Sequence, residues 1–133
     1  MDAAPTNDRI AAALRYARDH IGTPFTVEDM AEASGLSLWQ FSRAFRIETG
    51  TTPARAVERM RADLARGHIE TGTANIESIA EIVGFGDAER MRRAFLRVFG
   101  RPPQDVRRSA HKVLTEPTSQ AVEERTHSAA RER

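Results

Sequence analysis

A chain of 133 residues, 40% of them hydrophobic, is long enough to fold as one domain with a buried core. It contains no cysteine, which excludes disulfides, thiolate metal sites and a cysteine nucleophile. It also shows no apolar signal segment and no run of about 20 apolar residues. We therefore expect a cytoplasmic protein without a membrane partner.

The net charge is only +1, but the basic residues are clustered. Between Arg90 and Lys112, eight arginines and lysines stand against one acid, Asp105, so this stretch alone carries +7. A cluster of this kind is typical of a surface that binds phosphate groups.

Hydrophobic periodicity predicts helices in the first third of the chain. Thr6 or Asn7 is expected to cap a first helix whose apolar positions continue to Ile21. Thr26 is expected to cap a short second helix that Gly35 ends.

A third helix is predicted between Ser37 and Gly50, and a long, charge-rich fourth helix over residues 53–71. Proline favours the first position of a helix, which places the start of the fourth helix at Pro53. The face of the third helix that is predicted to be buried carries Leu38, Phe41, Ala44 and Phe45.

The same order of signals returns in the second half. Asn75 caps a short helix that Gly84 breaks, and Asp87 caps a helix that ends at Gly100. A last short helix is predicted near residues 104–108.

No segment alternates as a strand would, so we predict an all-α fold of about seven helices. One domain over residues 6–112 would contain two helix-turn-helix units, at about 26–50 and 75–100, joined by the long helix 53–71. Residues 113–133 lack periodicity and are predicted to be a disordered tail.

An internal repeat connects the two units. Forty-nine residues separate Ala31, Gly35 and Leu36 from Ala80, Gly84 and Phe85. Fifty residues separate Phe41, Arg43, Phe45, Gly50 and Pro53 from Met91, Arg93, Phe95, Gly100 and Pro103. The second copy therefore has one extra residue just after its turn glycine. Two helix-turn-helix units in register, each with arginines on the second helix, predict binding to duplex DNA.

A helical wheel for the third helix turns Trp39, Arg43 and Arg46 outward, with Gln40 and Ser42 at the margins. An outward tryptophan is unusual, because its large apolar surface is normally buried. It either packs against the neighbouring unit or touches a sugar or a thymine methyl group in the groove, and we favour the second interpretation.

The corresponding wheel for the later helix turns Glu89, Arg93 and Arg97 outward, flanked by Arg90 and Arg92. Glu89 can either accept a hydrogen bond from a cytosine amino group or form a surface ion pair with Arg93. Four arginines within two turns exceed what solubility requires, which favours a DNA contact.

Recognition helices enter the groove by their N-terminal turns. The residues placed to reach bases are therefore Ser37, Trp39, Gln40, Asp87, Ala88, Glu89 and Arg90. The residues expected to contact phosphates are Arg46, Arg97, Arg101, Arg107 and Arg108.

A linking helix over residues 54–71 would be roughly 25 Å long, which sets two recognition helices near one duplex turn, ~34 Å, apart. A mismatch between that rigid spacing and straight DNA would bend the duplex. Because the two helices carry different side chains, we expect an asymmetric, non-palindromic site for each monomer.

These residues resemble the AraC/XylS family of transcription regulators over about residues 25–108. The second unit carries the resemblance in residues 79–87 (IAEIVGFGD), Met91, 93–95 (RAF) and 99–103 (FGRPP). The first carries it in Ala31 and in residues 34–37 (SGLS), 41–45 (FSRAF) and 48–53 (ETGTTP).

The resemblance implies seven helices and two units that bind adjacent major-groove segments. It places DNA contacts on Trp39, Gln40, Ser42, Arg43 and Arg46 in the first unit and on Ala88, Glu89, Arg90, Arg92 and Arg93 in the second. Ala88 offers only an apolar contact, and Met91 stands where the family usually has Phe or Leu.

The chain is most similar to the branch of that family whose members carry an amidotransferase-like sensor domain. The roughly 25 residues before the first unit are too few to form such a domain. The chain is therefore either a self-standing regulator or the DNA-binding end of a longer protein. Dimerisation would rest on a missing or separate domain.

The first functional hypothesis is a transcription factor at the nucleoid, most simply an activator that contacts RNA polymerase through exposed charge. The alternative is a protein-interaction module that binds a sigma factor or another regulator. An enzyme is not expected, because the four histidines are scattered and no paired carboxylates occur in a pocket-forming stretch. No cofactor or metal is expected either.

Overall fold

The computed structural model describes residues 5–115. Within this range the chain forms seven α-helices and no strand: α1 Thr6–Asp19, α2 Val27–Ser34, α3 Leu38–Thr49, α4 Pro53–Thr71, α5 Ile76–Ile82, α6 Ala88–Phe99 and α7 Pro103–Thr115. Helices α2–α3 and α5–α6 are two helix-turn-helix units, and α4 joins them. The predicted all-α fold with a linking helix is confirmed.

Side-chain caps start the helices where the sequence predicts them. Thr26, Ser37, Asn75 and Asp87 each accept a hydrogen bond from the backbone N–H three residues later. Such a cap satisfies a donor that the first turn of a helix leaves free. The recognition helices α3 and α6 therefore begin at positions fixed by the local sequence.

The cap predicted for α1 is wrong. Neither Thr6 nor Asn7 caps this helix, because Pro5 occupies the capping position and no side chain accepts a hydrogen bond there. The backbone N–H groups of Asp8 and Arg9 donate to the Pro5 carbonyl oxygen at 3.0 and 3.1 Å. The helix also ends at Asp19, so Ile21 lies in the following turn.

The internal repeat appears as two turns of similar geometry. Gly35 and Gly84 have φ angles of +79° and +96°, a region that residues with a Cβ rarely adopt. After each glycine the next backbone N–H, of Leu36 or Phe85, donates to an alanine carbonyl five residues earlier. The extra residue in the second copy is Gly86, which has a φ of +93°.

Two hydrophobic cores pack on successive parts of α4, the first around Val57 and the second around Ala62, Ala65 and Ile69. The first is centred on the fully buried Phe41 and Phe45, and the second on Phe95 and Met91. Leu38 is an exception to the predicted buried face: it is 42% exposed, because it is the first residue of α3 and lies beyond the core.

Helix α7 is longer than predicted. It extends from Pro103 to Thr115 rather than over residues 104–108, so residues 113–115 are helical and do not begin a disordered tail. Arg101 stabilises it by donating to the Asp105 carbonyl oxygen at 2.8 Å and to the Ser109 hydroxyl. The remainder of the predicted tail lies outside the described residues.

Candidate nucleic-acid interface

The outward face of α3 forms a shallow groove. Trp39 is 70% exposed, and the Arg43 guanidinium carbon lies 5.6 Å from the centroid of its indole ring, a cation–π distance. Ser42 and Arg46 line the same groove, of about 420 Å³. The structure therefore brings together four of the five side chains predicted on this helix, and Trp39 does not pack into the neighbouring unit.

Gln40 and Ser37 form a capping box at the start of α3. The Ser37 hydroxyl accepts from the Gln40 backbone N–H at 3.2 Å, and the Gln40 side-chain oxygen accepts from the Ser37 backbone N–H at 3.1 Å. In the free protein both side chains thus stabilise the helix. Contact with bases, predicted for both, would compete with these local hydrogen bonds.

On α6, Glu89 forms ion pairs with two arginines. Its carboxylate accepts hydrogen bonds from Arg92 at 2.8 and 3.0 Å and from Arg93 at 3.0 Å. These hydrogen bonds lower the pKa of Glu89 to about 2 and raise the pKa of Arg92. Of the two interpretations of Glu89, the ion pair is present in the free protein, and the cytosine contact stays a prediction.

The carboxyl group of Glu89 is expected to titrate in NMR with a midpoint of about 2. Because this pKa lies below the usual 4.5, the ion pairs stabilise the fold fully above pH 4.5 and lose that effect as the pH falls toward 2. Arg92→Ala should shift the midpoint upward, since it removes the first cause of the lowered pKa. An unchanged midpoint in this variant would contradict the geometry.

Arg97 is tied to the linking helix. Its Nε and Nη2 atoms donate to one carboxylate oxygen of Glu58 at 2.8 and 2.5 Å. Glu58 is only 17% exposed, whereas Arg97 is half-exposed. This hydrogen-bonded pair raises the pKa of Arg97. The predicted phosphate contact by Arg97 would therefore have to share its guanidinium with Glu58.

A cleft of about 410 Å³ lies between α2, α4 and α6. Arg90, Arg93 and Arg97 line one wall of it, and Val27 and Ala54 line another. Val27 and Ala54 also line the groove beside Trp39. The groove beside Trp39 and the cleft beside α6 therefore adjoin each other.

The remaining predicted residues divide into three groups. Arg108 is exposed and pairs with the Asp105 carboxylate at 2.8 Å. Arg90 is exposed, with its Nε 3.9 Å from an Asp87 carboxylate oxygen, and Ala88 is half-buried beside it. Arg101 and Arg107 bind backbone carbonyl oxygens, Arg107 those of Ile69 and Gly72 at the end of α4. This gives Arg101 and Arg107 a structural role that the sequence did not predict.

Two cleft residues were missed by the sequence analysis. Glu58 and Arg61 project from α4, which was interpreted only as a spacer. The partners of Glu58 and Arg61 lie 38 to 40 residues away along the chain, so no local spacing signals them.

Two further features are absent from residues 5–115. No group of three or more acidic or histidine side chains is arranged there to hold a metal ion. None of the helices in that range combines the length and the apolar character needed to cross a membrane.

Comparison with known proteins gives the same family as the resemblance in the sequence. A helix-turn-helix domain family matches residues 30–109. The HTH-type transcriptional regulator Rv1931c of Mycobacterium tuberculosis is 36% identical over 92 residues, which are 69% of this chain and 36% of that protein. The transcriptional activator RhaS of Citrobacter koseri is 31% identical over 115 residues, 86% of this chain and 41% of RhaS. The chain thus spans about two fifths or less of the length of these relatives.

Two solved structures share the fold. The DNA-binding domain of AdpA, a global transcriptional factor solved in complex with a target DNA, has a TM-score of 0.72 and 28% identity. The match covers 76% of this chain and 91% of that one. A regulator from Chromobacterium violaceum with an AraC-type DNA-binding domain has a TM-score of 0.73 and 22% identity, over 79% and 94% of the two chains. The chain belongs to the AraC-type helix-turn-helix family.

Proposed function

We propose that this chain binds duplex DNA in a sequence-specific manner and regulates transcription. The observation that carries the proposal is that the groove on α3 and the cleft on α6 adjoin through Val27 and Ala54. The outward side chains of the two recognition helices therefore lie on adjoining surfaces, which together we call the DNA face. Helix α4 has 19 residues, about 28 Å at 1.5 Å per residue, a length that suits two recognition helices in adjacent major-groove segments. The AdpA domain, which shares this fold, was solved on DNA.

Within this face the roles of the side chains follow from their positions. The side chains proposed to read base edges lie near the N-terminal turns of α3 and α6: Ser37, Trp39, Gln40, Ser42, Arg43, Ala88, Glu89, Arg90, Arg92 and Arg93. Arg46 and Arg97, one or two turns later, are proposed to contact phosphates.

Activation is the direction that we propose, because RhaS is named as an activator. The exposed charge outside the DNA face would then contact RNA polymerase. Binding to DNA would place the protein in the cytoplasm at the nucleoid. Dimerisation, if a longer regulator contains this chain, would come from a separate domain, and no enzymatic activity is proposed.

Selection of binding sites from genomic fragments, followed by a fluorescence titration at several salt concentrations, tests this function. We expect one preferred class of fragment, a steep salt dependence of the affinity, and a preference that survives at high salt. A preference that disappears with salt would reduce the activity to non-specific binding. No binding to any fragment, together with capture of a sigma factor or another regulator without DNA, would favour a protein-interaction module.

Glu58→Gln is expected to increase affinity for all duplex sequences. It frees the Arg97 guanidinium for a phosphate and removes a negative charge from the cleft. The slope of log K against log salt should become steeper by about one. Salt titrations of the variant and the parent on specific and random duplexes measure both effects.

Asp63→Asn is the matched control, since it removes the same charge from the same helix. Asp63 pairs with Arg59 at 3.3 Å and does not line the cleft. An equal gain from Asp63→Asn would show that only the net charge matters, and would contradict a specific role of the pair between Glu58 and Arg97.

A further inference from the structure

The turn between α1 and α2, which packs on the core of the first unit, touches the second unit directly beside α4. A Cβ atom added to Gly22, in the turn after α1, would lie 2.7 Å from the carbonyl oxygen of Ile82 in α5. A Cβ added to Gly84 would collide with the Ile21 carbonyl oxygen and would lie 2.6 Å from the Arg61 Nε atom. The backbones of the two units therefore approach as closely as only glycine allows.

Arg61 lies at this contact and binds the side that belongs to the first unit. From α4 its Nε and Nη2 atoms donate to the carbonyl oxygens of Ile21 and Thr23, at 3.1 and 3.2 Å. Its guanidinium also lies over the Phe25 ring, 5.1 Å from the centroid. Burial lowers the pKa of this guanidinium, although an arginine stays charged in a protein. Arg61 thus joins the first unit to the linking helix beside the turn glycine of the second.

A contact at this place has a mechanical consequence. Both units pack on α4 through separate cores, so rotation of one unit relative to the other about this helix is a motion that a direct contact between them can oppose. The contact between Gly22 and Ile82 lies off the axis and opposes this rotation. Glu58 and Arg97 connect α4 only to the second unit, so they do not replace it.

We infer that Arg61, Gly22 and Gly84 form a lock that fixes the rotation of one recognition helix relative to the other. They are positioning residues: they set the spacing of DNA segments that both helices can engage together. The part of this inference that concerns DNA rests on the proposed function, whereas the rigidity of the lock does not.

The rigidity is tested without DNA. The chain has no cysteine, so Glu48→Cys on α3 and Gln104→Cys on α7 place one spin label on the exposed surface of each unit. Pulsed electron paramagnetic resonance should give a narrow distribution of distances between the two labels in the parent chain. Arg61→Met and Gly22→Ala should broaden this distribution. Arg61→Lys keeps a hydrogen-bond donor, so its distribution should be narrower than that of Arg61→Met.

Arg66→Met is the matched control on the same helix. Arg66 donates to Glu70 at 2.8 Å and lies over the Phe99 ring, entirely within α4 and the second unit. Its removal should leave the distribution narrow. Equal widths in the parent, Arg61→Met and Gly22→Ala, with all three folded by circular dichroism, would overturn the inference.

The spacing readout uses the fragment obtained by site selection, with one base pair inserted between the two contacted segments. One base pair displaces the segments by about 3.4 Å and about 34°. The parent should lose at least about tenfold in affinity, because simultaneous engagement requires matched geometry. In Arg61→Met this penalty should fall at least about threefold. If Arg61→Met lost affinity equally on the original and the lengthened fragment, Arg61 would only stabilise the fold, and the inference would be wrong. If the parent bound neither fragment, the result would contradict the proposed function instead.

Discussion

Phe95→Ala is expected to lower the free energy of unfolding by about 3–5 kcal/mol, the range for a phenylalanine removed from a packed core. Phe95 is fully buried in α6 and meets the Phe99 ring edge-to-face, with 5.0 Å between centroids. A domain of this size is stable by only about 5–15 kcal/mol. The variant should therefore lose a large part of its stability, and its recognition helix α6 should lose its support.

Urea denaturation followed by circular dichroism measures this loss. Leu96→Ala is the control on the same helix, because Leu96 is exposed and a surface substitution changes stability by about 0.5 kcal/mol or less. Hydrogen exchange should show the lost protection mainly in α5–α7, since α1–α3 pack around a different core. Equal losses for Phe95→Ala and Leu96→Ala would contradict the described packing.

The fold could be predicted from sequence because its determinants are local. Thr26, Ser37, Asn75 and Asp87 each satisfy a backbone donor three residues away, so the helix starts are visible in a single sequence. The repeat also shows which turn needs a glycine. Where a local signal was ambiguous the prediction failed: the start of α1 is set by Pro5, although two residues after it were better capping candidates.

The electrostatic arrangement of the site could not be predicted in the same way. Helical spacing placed Glu89 and Arg93 on one face, and the structure adds that Arg92 shares the same carboxylate. By contrast, the pair of Arg97 with Glu58 spans 39 residues. It arises only when α6 packs on α4, which is a tertiary event without a local pattern.

Arg93→Ala is expected to weaken binding to the selected DNA site by about 1–3 kcal/mol and to relax specificity at one base position. Arg93 is exposed on α6, lines the cleft, and donates only its Nε atom to Glu89 among the described contacts. Its terminal nitrogens can thus reach a guanine while Glu89 orients the side chain. Glu89 keeps Arg92 as a partner after the substitution, so the helix surface should not rearrange.

Arg59→Ala is a closely matched control for this variant. Arg59 is as exposed as Arg93, at 63% against 64%, and likewise pairs with an acid four residues away, Asp63. It lies on α4 outside the cleft, so its removal changes the charge equally without touching the proposed base-reading surface. Repeating the site selection with both variants separates the effect of the lost charge from the effect of lost base reading. A loss of information at one base position for Arg93→Ala alone assigns base reading to Arg93. An equal weakening on every sequence would assign it to a phosphate contact and leave base reading on α6 to Arg90 and Glu89.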